Sequence, residues 1–102
     1  MALDVSYVNR QADRLDDVES NLASSKNLLK DYKNTLNKVW TDKSVNKVTK
    51  KIDNIIKDIN SAIEDCKKVK ANIKAAARDI RNEEIAEAER RQRELEAQQA
   101  KA

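Results

Sequence analysis

The sequence predicts an all-α protein, an antiparallel two-helix hairpin with a charged C-terminal helical extension. Three observations predict it. The chain of 102 residues contains no Gly and no Pro, the residues that strand proteins and irregular loops use at their turns. An apolar stripe at helical spacing fills the second half, and a looser one fills the first. The phase between the two stripes breaks near residue 40.

The second stripe is the clearer. Val45, Val48, Ile52, Ile55, Ile59, Ala62, Cys66, Val69, Ile73, Ala76 and Ile80 alternate steps of three and four. This spacing predicts a helix over residues 44–80 with its apolar side chains on one face, in the 3.5-residue repeat that favours left-handed packing on a partner helix. In the first half Val8, Leu15, Leu22, Leu29 and Leu36 recur every seven residues. Val18, Tyr32 and Val39 fill the companion position, and Gln11 and Ser25 interrupt it. Ser6 is an N-cap type, so helix one is predicted over residues 6–39. Between the stripes, Thr41, Asp42 and Ser44 are all N-cap types, marking a turn at about residues 40–43. Arms of similar length, roughly 50 Å at about 1.5 Å per residue, joined by a short linker favour a hairpin over the alternative of one continuous rod.

Residues 1–80 are therefore read as the hairpin and residues 81–102 as a charged helical or frayed tail. Glu83 falls where the next seam residue is due, and Ile85 and Leu95 are the only sizeable apolar groups beyond it. Pairs at i,i+4 such as Glu87–Arg91 and Glu89–Arg93 support helix there. A two-helix seam buries little surface, and small domains of this kind often complete their core by association. Leu28 lies beside the first stripe, and Ile56, Ile63 and Ala77 lie beside the second. They form either a second, narrower face for a partner or the edge of a stripe wide enough for the intramolecular one.

Catalysis is not expected. The chain has no His and a single Cys, which removes the commonest general base and the usual nucleophile pair. Cys66 sits on the stripe and reads as a small core residue. Asp13, Asp16 and Asp17, or Glu83, Glu84 and Glu87, resemble parts of di-metal bundle sites, but those need inward-facing acids accompanied by His. Without Gly there is no phosphate-cradling loop. No catalytic residue, metal site or cofactor is predicted.

The charge is unevenly spread. From Met1 to Ser25 five acids face two bases, and from Lys26 to Arg78 fourteen bases face six acids. A basic middle attracts an acidic partner, a membrane surface or nucleic acid, or is simply a solvated face. Nucleic acid is disfavoured because no aromatics interleave the lysines for base stacking. No stretch approaches the roughly 20 apolar residues of a membrane span. Residues 1–20 carry seven charges and do not read as a cleavable signal peptide. Trp40, the only tryptophan, stands at the hairpin tip, where it either caps the core over Leu36 and Val45 or serves as a recognition anchor.

The segment Leu36-Asn37-Lys38-Val39-Trp40-Thr41-Asp42-Lys43-Ser44-Val45 resembles the turn of the WXG (ESAT/WXG) superfamily, small helical hairpins handled by bacterial type VII (ESX) secretion. Trp40 matches the motif tryptophan, and Asp42 stands where the motif has Gly, which implies a WXG-like branch. Val5-Ser6-Tyr7-Val8-Asn9 and Lys51-Ile52-Asp53-Asn54-Ile55-Ile56 are similar to the partner proteins of LXG toxins. The resemblance covers about residues 4–85. It implies a non-enzymatic adaptor, or chaperone, that binds the helical N-terminal domain of a toxin effector and aids its targeting or export. The complex would be a hetero-oligomer, in which a second small hairpin protein could join. The family's export signal, an aromatic followed four positions later by an acid beyond helix two, has no counterpart after Trp40. The protein is thus expected either to stay in the cytoplasm or to leave by the type VII pathway on a partner's signal. The partner-binding residues expected are Trp40, Ile56, Ile63, Leu28 and Ala77. The alternative is a self-associating cytosolic helical scaffold or a basic nucleic-acid-binding module.

Overall fold

Two α-helices account for nearly all the described residues. The structure is a computed structural model that describes the backbone of residues 3–101 and the side chains of residues 3–100. Residues 1, 2 and 102, the outer limits of the predicted hairpin and tail, lie outside the described residues. α1 runs Val5–Val39 and α2 runs Val45–Lys101. The helices are packed against each other, and no strand occurs among the described residues, so the fold is the predicted all-α hairpin.

The helix ends follow from local chemistry. The Tyr7 amide donates to Asp4 Oδ1 at 3.0 Å and the Val8 amide to the Asp4 carbonyl at 3.1 Å, so Asp4, not Ser6, caps α1. Both are capping types, but a carboxylate also meets the positive end of the helix dipole. After Val39 the Trp40 amide still donates to the Leu36 carbonyl at 2.9 Å. The Asp42 carboxylate then accepts the Ser44 amide at 2.9 Å. The Val45, Asn46 and Lys47 amides donate to the Asp42, Lys43 and Ser44 carbonyls at 3.1, 3.1 and 3.2 Å, a three-residue spacing tighter than the α-helix it starts. None of the described residues has a positive φ. The reversal needs no left-handed residue, and therefore Asp42 serves where a glycine turn would need Gly.

Residues Asp13–Lys70 form one compact unit. Lys70 Nζ donates to Asp16 Oδ1 at 2.6 Å, Lys26 Nζ to Asn60 Oδ1 at 3.2 Å, and Lys33 Nζ to Asp53 Oδ1 at 2.7 Å. The residue numbers of each pair add to 86, which is antiparallel packing in constant register. Val45, Thr49 and Ile52 are buried. Leu15, Leu22, Leu29 and Leu36 of α1 are half-buried, as are Ile56, Ile59, Ile63 and Cys66 further along α2. The Thr49 hydroxyl donates to the Asn46 carbonyl at 3.2 Å, which meets the requirement of a buried polar group.

Exposed ion pairs such as Lys33–Asp53 contribute about 0.2–1 kcal/mol each, so they select register more than they stabilise. Lys70 has a sharper signature. Its hydrogen bond to Asp16 raises its pKa above the usual 10.5, partial burial opposes the rise, and the charges of Asp16, Glu19 and Asp13 add to it. A lysine pKa raised on folding stabilises fully below the unfolded value and is lost as pH climbs through the folded one. Thermal melts should accordingly show an alkaline decline above about pH 10.5 that is smaller in Lys70→Met, with no difference in slope at neutral pH.

Residues up to Ala12, together with those from Ala71 onward, form the other compact unit. Ala12 and Ala77 are buried in it. The Leu3 amide donates to both Glu84 carboxylate oxygens at 3.0 and 2.8 Å, and Arg81 Nη1 lies 3.4 Å from the same carboxylate. From Ile85 to Ala100 every side chain is exposed and the chain stays helical, with Arg91 Nη2 bonded to Glu87 Oε1 at 2.8 Å.

The α2 stripe is not buried as its spacing predicts. Val45, Val48, Ile52, Ile59, Ala62 and Cys66 are buried or half-buried, but Ile55, Val69, Ile73, Ala76 and Ile80 are exposed. Their places are taken by Thr49, Ile56, Ile63, Lys70, Ala77 and Glu84. The cause is pitch. A seven-residue repeat slips about 20° per heptad around a straight helix. Along Val45, Ile52, Ile59, Cys66, Ile73 and Ile80 the burial accordingly fades, while the series four residues on stays covered.

Candidate functional site

The hairpin tip is the first candidate surface. Val39 closes α1 with 74 % of its surface exposed, and Trp40, just beyond, is 37 % exposed. Tyr32, about two turns earlier, is exposed as well. Around this apex Lys38, Lys43, Lys47, Lys50 and Lys51 are exposed. Asp42 is the one acid among residues 38–51, and its carboxylate is occupied by the Ser44 amide. Trp40 therefore lies neither enclosed in a core nor free in solvent. It projects apolar surface from the end of the Asp13–Lys70 unit.

The second candidate is the set of aliphatic side chains that each unit leaves uncovered. In the Asp13–Lys70 unit these are Leu28, 70 % exposed, with Val18, Ile55 and Val69. In the other unit they are Ile73 and Ile80, with Ile85 and Leu95 in the exposed part of α2. Of the five residues expected to bind a partner, Trp40 and Leu28 are available at the surface. Ile56 and Ile63 are half-buried in the seam, and Ala77 is 3 % exposed. These three form the inner edge of the chain's own packing rather than a second outer face. Ile55, Val69, Ile73 and Ile80, which the spacing assigns to the seam, are the ones left outside. Rotating an ideal straight helix through 100° per residue is the signal that separates the two sets.

Among the described residues, no group of three or more His, Cys, Asp or Glu side chains is placed to hold a metal ion. Cys66 is a free, half-buried thiol. An open surface depression of about 530 Å³ is lined by Leu3, Asp4, Val5, Ser6, Arg78 and Arg81, among others. No helix among the described residues is long and apolar enough to cross a membrane. Comparison with family models, curated proteins and solved structures found no match. The functional reading accordingly rests on the residues and their geometry.

Proposed function

We propose that the protein is a non-enzymatic partner, an adaptor that binds a helical domain of another protein, in the manner of the hairpins that accompany toxins of type VII secretion. The observation that carries this is the exposed aliphatic flank in each unit. Leu28 on α1 and Ile55 and Val69 on α2 in one unit, and Ile73 and Ile80 a heptad apart on α2 in the other, are large apolar groups that the chain's own packing leaves in water. Exposed apolar rows of this kind serve helical partners, which lay an amphipathic face along them. The likeness of the Trp40 turn to the WXG turn supplies the secretion context.

Affinity capture from the native host, with the bait tagged at its C-terminus, tests the proposal. The expected result is recovery of a larger protein with a helical N-terminal domain, lost with Leu28→Asp or Ile73→Asp and retained with the exposed polar control Asn54→Ser. Recovery of the bait alone, running as a homodimer, would overturn it in favour of a self-associating scaffold.

A further inference from the structure

We infer that the hairpin tip is a docking point for an anionic lipid surface, independent of the protein partner proposed above. Two features meet there. Val39 and Trp40 present an aliphatic and an amphipathic aromatic group at the end of the Asp13–Lys70 unit, Val39 being among the most exposed large apolar residues described. Five lysines, Lys38, Lys43, Lys47, Lys50 and Lys51, surround them against the single acid Asp42. None of the five takes part in an ion pair among the described residues. Helix geometry sets their depth. At about 1.5 Å per residue, Lys38 lies level with the apex, and Lys47, Lys50 and Lys51 fall about 3–9 Å behind the start of α2. That is the layer in which cationic groups meet lipid headgroups when an apolar group enters the headgroup–acyl boundary to a depth of about 5–10 Å.

The composition selects lipid over the other polyanions. Every base between Lys26 and Lys74 is lysine, and arginine is confined to positions outside this span. Lysine is a point charge on a flexible apolar stem that reaches to the interface from beside a buried group, whereas arginine supplies the bidentate fork suited to specific phosphate recognition. A nucleic acid would leave Val39 in water and would find one aromatic at the apex rather than a series on which to stack bases. Tryptophan itself favours the bilayer interface, where its ring is apolar and its N–H stays hydrated.

The sole tryptophan makes the test direct. The full chain is mixed with vesicles of phosphatidylcholine alone, or of phosphatidylcholine with phosphatidylserine, and Trp40 emission and co-sedimentation are recorded. The expected result is a blue shift and sedimentation with the anionic vesicles only, weakening as salt rises. Lys43→Glu with Lys47→Glu should lower partitioning at least about tenfold while circular dichroism still reports the helices. Val39→Ser should reduce the blue shift and the bound fraction at unchanged charge. Absence of sedimentation with anionic vesicles at low salt would overturn the inference. So would equal binding to neutral vesicles, or salt-sensitive binding to duplex DNA that Val39→Ser leaves untouched while vesicles stay unbound.

Discussion

Ile52→Ala is expected to destabilise the protein by about 2–5 kcal/mol, the usual range for emptying a buried aliphatic site, while Ile55→Ala, three residues on, costs under about 1 kcal/mol. Both isoleucines belong to the same regular stripe, and sequence spacing alone treats them as equals. The structure separates them: Ile52 is 6 % exposed and Ile55 47 %. Ile52 sits with Val45 and Thr49 in the best-covered part of the Asp13–Lys70 unit, where truncation loses transfer free energy and leaves a cavity. Ile55 already spends much of its surface in water and loses less transfer free energy on truncation. Thermal unfolding followed by circular dichroism measures the difference. For a chain of this size about 1 kcal/mol shifts the midpoint by roughly 4–8 °C, so the Ile52 variant should melt at least about 4 °C below the Ile55 variant. Equal losses would put both side chains in the seam and contradict the observed rotation of α2.

The hairpin was legible because its determinants are local. Helix formers without Gly or Pro, two apolar stripes and a phase break near Trp40 each act over a few turns. Each requires only that an amphipathic helix bury one side. The turn was legible as a place but not as a mechanism. Three cap types lie within it, and only the backbone decides that the Asp42 carboxylate takes the Ser44 amide. The start of α1 shows the same ambiguity, since Asp4 and Ser6 are both capping residues and the three-dimensional path picks Asp4. The rotation of α2 is a different matter. It depends on whether the helices supercoil, and a heptad stripe reads identically in a supercoiled and a straight helix until burial is known. That one unknown exchanged the inner and outer sets, placing Ile56, Ile63 and Ala77 inside and Ile73 and Ile80 outside. Trp40 and Leu28 were unaffected, because Trp40 stands in the turn and Leu28 lies on α1, 70 % exposed.

The Ala75-Ala76-Ala77 run turns that rotation into a test with a large effect. The strict stripe nominates Ala76 for the core and leaves Ala77 beside it. In the structure Ala76 is exposed, Ala75 half-buried and Ala77 3 % exposed. Ala77→Glu would drive a carboxylate into a site that the parent methyl group already fills, 3 % exposed. An uncompensated buried charge costs about 3–5 kcal/mol, a large share of the roughly 5–15 kcal/mol that holds a small domain folded. Ala76→Glu should stay within about 0.5 kcal/mol of the parent, as surface changes do. The melting midpoints of the two variants decide between the inner and outer assignments, and a reversed order would return Ala76 to the seam. The Ala76 variant has a second use. It places a charge between Ile73 and Ile80 on the exposed flank without disturbing the fold. If that flank receives a helical partner, Ala76→Glu should abolish capture of that partner while leaving the melting curve unchanged. A protein that keeps its stability and loses its partner would locate function on the side of α2 that the chain's own core does not use.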